Sequence, residues 1–260
     1  MDLGITGRTA FVAASSQGLG YACARSLARE GVAVTLNGRD ADKLDTAARR
    51  LRGEAAGADV RWVAGDLTEA DGRDAIFAAL AEVDILVTNN AGPPPGGVDS
   101  WSEESLTRAF QAHTISAMEL IRAYLPGMRA AGFGRIVNIT SAMVKSPAAD
   151  MGISAAARAA VTALAKSLSG EVARDGVTVN NLLPERFDTE RQRVMVSRRS
   201  ARDGIDEREA RRRIADEIPA GRLGDPNEFG DACAYLCSVQ AGYITGQNLQ
   251  LDGGSYGGLI

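Results

Sequence analysis

The sequence predicts an α/β fold, a doubly wound parallel sheet in a single domain. Short, continuous apolar runs alternate with segments of helical period along most of the chain. Runs of that kind, without polar alternation, fit strands covered by helices on both faces. The first run passes through a turn of small residues directly into a helix, as a βαβ unit begins. No Pro/Gly/Ser-rich linker and no internal repeat divides the 260 residues, a length within reach of one α/β domain.

Thr9–Ala13 is the first predicted strand and Leu19–Glu30 the first helix. Between them lies Ala14-Ser15-Ser16-Gln17-Gly18-Leu19-Gly20. Small side chains there let backbone N–H groups approach a pyrophosphate, which also meets the positive end of the helix. The usual fingerprint spaces its glycines as G-x-G-x-x-G. Here Gly18 and Gly20 are close together, and Ala14 stands where a first glycine is expected. An ordinary tight strand-to-helix turn is the alternative.

Val32–Leu36 is the second strand, followed by helix Ala41–Arg52. The second strand ends in Asn37-Gly38-Arg39. An acid at this strand end binds the ribose hydroxyls of NAD, whereas an arginine accommodates the extra phosphate of NADP. Gly38 takes the acidic place and Arg39 follows, which favours NADP over NAD, although Asp40 weakens the local positive charge. Val60–Ala64 and helix Ala70–Ala81 come next, with Asp66-Leu67 placed to meet an adenine edge. Ile85–Thr88 precedes a helix expected over Glu103–Arg129 and broken near Pro126. Pro93-Pro94-Pro95-Gly96-Gly97 stiffens the connection and either shapes a pocket wall or merely joins strand to helix. Arg135–Ile139, helix Ala155–Arg174, strand Thr178–Leu183, a long polar segment, helix Pro226–Ser238 and strand Asn248–Leu251 complete the chain. Right-handed crossovers between these parallel strands give a Rossmann-like sheet.

Composition excludes several classes. The chain is 45% hydrophobic, with 29 Lys plus Arg against 33 acids and a net charge of −4. That balance gives no attraction to nucleic acid or to a membrane surface. No apolar run reaches the length of a membrane span, and the N-terminus lacks a secretion pattern. Cys23, Cys233 and Cys237 form a sparse, odd set that fits a reducing cytoplasm. Cys233 and Cys237 lie one helical turn apart, but no further cysteine or nearby histidine completes a zinc site, so no metal is expected.

With Asn89-Asn90-Ala91-Gly92 at the end of the fourth strand, the chain resembles the short-chain dehydrogenase/reductase family, close to its β-ketoacyl reductase type. Ala14–Gly20, Asp66-Leu67, Gly134–Ser141, Val177–Asn180, Pro219–Gly224, Ile244–Gln247 and Asp252–Gly254 carry the resemblance across nearly the whole chain. It implies one Rossmann-like NAD(P)-binding domain over residues 1–260, hydride exchange between NADP(H) and a carbonyl or alcohol, and a homotetramer or dimer. A 3-oxoacyl thioester is one substrate of that type. The cofactor is then expected on Ser15, Ser16, Gln17, Gly18, Leu19 and Gly20, on Asn37 and Arg39, on Asp66 and Leu67, on Asn90, Ala91 and Gly92, and on Arg158, Pro184 and Thr189.

The family's chemistry uses Asn, Ser, Tyr and Lys, and the resemblance places only the serine, Ser141. Ser154 stands in the tyrosine place, Arg158 in the lysine place and His113 in the asparagine place. A serine hydroxyl is a far weaker acid than a phenol of pKa ~10. Arginine keeps its charge but cannot relay a proton. His113, with an ordinary imidazole pKa of ~6.5, either supplies the missing proton, directly or through water, or fills the vacant asparagine space. Lys145 is either a second donor from a nearby loop or a surface lysine. Glu185 replaces a glycine in the loop that meets the nicotinamide amide, so the backbone there can take another path. Residues 190–217 form an arginine-rich segment where the family has a substrate lid; it either accepts an anionic substrate or is a solvated helix of mixed charge. The altered residues keep two rivals open. One is a dinucleotide-binding protein without redox chemistry, a sensor or partner subunit; the other is a non-redox lyase on the same scaffold.

Overall fold

The computed structural model describes residues 1–259. Seven strands, β1 (Thr9–Val12), β2 (Ala33–Gly38), β3 (Val60–Ala64), β4 (Ile85–Thr88), β5 (Gly134–Ile139), β6 (Val177–Pro184) and β7 (Asn248–Leu251), build one sheet. Every pairing is parallel, in the order β3-β2-β1-β4-β5-β6-β7. The helices are α1 (Gly18–Arg29), α2 (Ala41–Glu54), α3 (Ala70–Ala79), α4 (Glu103–Phe110), α5 (Ser116–Ala131), α6 (Gly152–Val172), α7 (Glu190–Asp203), α8 (Glu207–Asp216) and α9 (Pro226–Cys237).

Strand periodicity divides the core into two layers. In β1, Ala10 and Val12 pack with Leu27 of α1, Leu44 and Leu51 of α2 and Phe229 of α9. Phe11, between them, points the other way, into a layer with Ile76 of α3, Leu120 and Tyr124 of α5 and Ala165 of α6. Phe11 is 0% exposed, so its burial stabilises the fold by about 1.5–3 kcal/mol. A third, separate apolar cluster, Val196, Ala210, Ile214, Ile218 and Leu223, lies within the α7–α8 region. The chain progresses outward in opposite directions from β1 and β4, so a crevice opens above their carboxyl ends.

One sequence expectation is corrected. The break in the helix after β4 falls at Gln111–Ile115, a π-helical turn, and Pro126 lies inside α5. Pro126 and Arg122, whose carbonyl the proline leaves without an N–H donor, are both exposed, so the helix tolerates the missing bond. At the π turn the Asn90 amide, at 3.0 Å, and the Ser116 hydroxyl both donate to the Ala112 carbonyl, drawing it out of the helical ladder. The long polar segment before α9 forms two helices, α7 and α8.

Candidate functional site

One cleft of about 730 Å³ runs across the carboxyl ends of the strands. At one end it is floored by the β1–α1 turn, where Ser16, Gln17, Gly18 and Leu19 line the wall. Gln17 lays no side chain over the first turn of α1, and no acid sits in that turn. The helix therefore presents free N–H groups and an uncompensated positive end to the cleft, which suits a pyrophosphate. Ala14 carries φ +45, a left-handed value that a glycine would adopt more cheaply. A Cβ on Gly20 would stand 2.5 Å from the Ala14 carbonyl oxygen, so glycine is required behind the turn.

Ser15 and Gly20 are expected on the cofactor, but neither reaches the cleft wall. The Ser15 hydroxyl donates to the Val12 carbonyl at 2.6 Å and accepts from Asn37 N at 3.0 Å. It fastens β1 to β2 from behind. The Asn37 amide is likewise engaged, donating to the carbonyls of Val63 and Gly65 at 3.3 and 3.2 Å. Asn37 lines the cleft, yet its side chain holds the turn rather than a ligand. Arg39, Asp66 and Leu67 line the far end. Arg39 is largely exposed and stands 3.8 Å from the Asp66 carboxylate. That carboxylate accepts from Thr68 N and Oγ1, which, with Arg39, outweigh its burial and hold it below the usual range.

Asn90, Ala91, Gly92, Ser141, Arg158, Pro184 and Thr189 line the other end. The Ser141 oxygen accepts from Met143 N at 3.2 Å, leaving its O–H free to donate into the cleft. Arg158 lies flat against Gly92: a Cβ there would be 3.3 Å from both terminal nitrogens. Arg158 Nη1 donates to Ser154 Oγ one helical turn earlier. Burial, with the charge of Arg191 added, brings Arg158 down to about 10, so it remains a cation. Ser154 is 3% exposed and does not line the cleft; its position behind Arg158 removes it from direct contact with a substrate.

His113 lies in the π turn, only 7% exposed. It borders a separate cavity of about 10 Å³, room for a single water, together with Asn90, Ser116 and Arg158. Its Nε2 and the Arg158 Nε are both buried there without a hydrogen-bond partner. Burial and the Arg158 cation push the imidazole down to about 3. His113 is thus neutral near pH 7 and sits behind Arg158, off the main cleft. Lys145 is also off the cleft, with its Nζ 5.2 Å from the Tyr256 ring centroid.

The 190–217 segment closes one side. Glu185 keeps the extended path of β6, its N–H donating to the Leu251 carbonyl at 3.0 Å, and the left-handed residue comes next, Arg186 with φ +54. Burial, reinforced by Asp252 and opposed by Arg186, raises the Glu185 carboxyl. Arg191 Nη2 donates to the Pro93 carbonyl at 3.0 Å, linking α7 to the loop after β4. In the sequence Arg191 is one of many arginines in the 190–217 segment. Its spacing two residues after Thr189, on the first turn of the helix, is the signal that separates it from the rest. Met143, Met151 and Met195 complete an apolar wall that no motif announced. Among the described residues there is no cluster able to hold a metal and no helix long and apolar enough to cross a membrane.

The family model described as enoyl-(acyl carrier protein) reductase matches residues 13–256. The NADPH-dependent reductase BacG of Bacillus subtilis is 32% identical over 252 residues, covering 95% of this chain and 97% of that protein. The 3-oxoacyl-[acyl-carrier-protein] reductase FabG of Vibrio cholerae is 31% identical over 258 residues, 98% of this chain and 99% of that one. Among solved structures, L-sorbose reductase from Gluconobacter frateurii, complexed with NADPH and L-sorbose, superimposes with a TM-score of 0.94 at 31% identity, covering 100% of both chains.

Proposed function

The chain belongs to the short-chain dehydrogenase/reductase family, and on that premise we propose that it is an oxidoreductase using NADP(H) on a small carbonyl or alcohol substrate, with a rearranged catalytic set. The observation that carries this reading is the single cleft joining the uncapped α1 turn to the Ser141 hydroxyl. The backbone of Ser16–Leu19 would hold the pyrophosphate, Arg39 the extra phosphate, and Asn90, Gly92, Arg158, Pro184 and Thr189 the nicotinamide half. Bound there, the nicotinamide supplies hydride chemistry.

Ser141 donates its O–H to the carbonyl oxygen. The Arg158 cation, steadied by Ser154, lowers the energy of negative charge developing on that oxygen. The proton comes from water entering the open cleft, since no side chain of this set is both acidic enough and exposed to it. His113 is a positioning residue: a water in the small cavity would accept from Arg158 Nε and donate to His113 Nε2, fixing the guanidinium. The 190–217 segment serves as the substrate lid, and the active form is a homo-oligomer, as in the family.

NADPH titration followed by absorbance at a series of ketones, aldehydes and a 3-oxoacyl thioester tests the reading. Turnover with Ser141→Ala reduced about 100-fold or more supports it; no NADPH binding by folded protein overturns it. The buried tyrosine-place hydroxyl, held by Arg158, favours one rival, a dinucleotide binder without redox turnover. Tight NADPH binding with no oxidation across the series would select that rival.

A further inference from the structure

We propose that the Ser141 end of the cleft is an oxyanion pocket in which Arg158 and Arg191 hold the carboxylate of a small oxo acid, the substrate of the reaction inferred above. This rests on that reading, because it assumes that the substrate carbonyl lies beside Ser141.

Both arginines line the same cleft. Among the described residues, neither forms an ion pair. Most of their neighbours on α7 and α8 behave otherwise. Arg193 sits on Glu190, Arg199 on Asp203 and Glu217, and Arg211 on Asp188. Arg198 and Arg208 also lack an ion pair among the described residues but do not line the cleft; that Arg158 and Arg191 do, with no acid on either, marks this cavity as suited to an anion.

The donors left over have the right form. Arg158 gives Nη1 to Ser154, and its Nε faces the small cavity beside His113. Nη2 is left for the main cleft. Arg191 gives one amino group to the Pro93 carbonyl, which fixes its position across the mouth, and keeps its remaining donors. Arg158 Nη2 and the remaining donors of Arg191 can each meet one oxygen of a carboxylate held between them. The pair is also unfavourable as it stands: Arg158 is largely desolvated and lies in the field of Arg191. A bound anion would relieve both costs.

The acids of the cleft do not cancel this charge. Glu185 is paired with Arg186, Glu190 with Arg193, and Asp66 lies at the far end with Arg39. Asp150 also lines the cleft, but it is exposed at the rim. The cleft must accommodate a dinucleotide within about 730 Å³, so the space beside Ser141 suits a short substrate.

The cofactor's own phosphates are the other anion that could use these arginines, and the experiment separates the two. Thermal melts with malonate, in the absence of cofactor, read the pocket directly. Initial rates with NADPH compare pyruvate with methyl pyruvate, acetoacetate with methyl acetoacetate, and levulinate with methyl levulinate. The expected result is a malonate-dependent rise in melting temperature and at least a tenfold preference in kcat/KM for the acid in one pair. Arg191→Met lowers that preference at least tenfold and removes the malonate shift, and Arg191→Lys recovers part of both. Esters used as well as acids in every pair overturn the proposal. So does an Arg191→Met variant that loses NADPH affinity while keeping the acid preference, since Arg191 would then serve the cofactor. Failure of wild-type protein to bind NADPH would instead overturn the parent reading, and the malonate shift would still decide the anion pocket.

Discussion

Acid should destabilise this protein through His113, and the size of the effect can be worked out. The imidazole has an ordinary pKa of 6.5 and is pushed down to about 3 by burial and by Arg158. Above pH 6.5 it is neutral in both the folded and unfolded chain and contributes no pH dependence. As pH falls below 6.5 the unfolded chain takes up a proton that the folded chain refuses, so stability declines until the folded pKa is reached. One pH unit is worth about 1.4 kcal/mol, and the loss at pH 5 is about 2 kcal/mol relative to pH 8. That figure hardly depends on the folded pKa, provided it stays below 4. The paired carboxylates, Asp66 and Glu228 among them, titrate lower and add their losses further into acid. The assay is urea unfolding at pH 8, 6 and 5 for the wild type and His113→Asn. The difference between the two should change by about 2 kcal/mol over this range, with the wild type losing more. Parallel curves for the two proteins would show that the imidazole is not held neutral by its surroundings, and the reasoning from burial would fail.

Two further outcomes are expected. Gly20→Ala drives a methyl to 2.5 Å from the Ala14 carbonyl oxygen; the turn must open, with a stability loss of about 1–3 kcal/mol in thermal unfolding and weakened NADPH binding by fluorescence titration. Arg39→Ala should lower NADPH affinity about tenfold and leave NADH affinity nearly unchanged, because Arg39 is largely exposed and its 3.8 Å ion pair with Asp66 is weak.

The strand order, the β1–α1 turn and the cofactor end of the cleft were legible because they depend on local signals: apolar runs, small residues and chain spacing. The chemistry near Ser141 was less legible because it depends on partners far apart in sequence. Nothing in the residues around Ala112 announces that Asn90 will take its carbonyl, so the helix break was assigned to the nearest proline. Ser15 read as a cofactor ligand from its place in the motif, but the buried N–H of Asn37 engages its hydroxyl first. The sequence identified His113 as an imidazole in an unusual place; only its burial behind Arg158 reveals that it is neutral. Conversely, Ser154 and Arg158 are one turn apart on a helix, and their contact follows from the sequence alone.

The α7–α8 pair has an apolar cluster of its own, separate from both faces of the sheet. It is joined at its base by the Phe187–Gly224 bridge. An element with a private interior can swing without unravelling. Its amides should therefore exchange with solvent as one cooperative group, at a free energy below that of global unfolding. Access to the buried end of the cleft would then be governed by a rigid flap on a two-stranded tether rather than by melting of a loop.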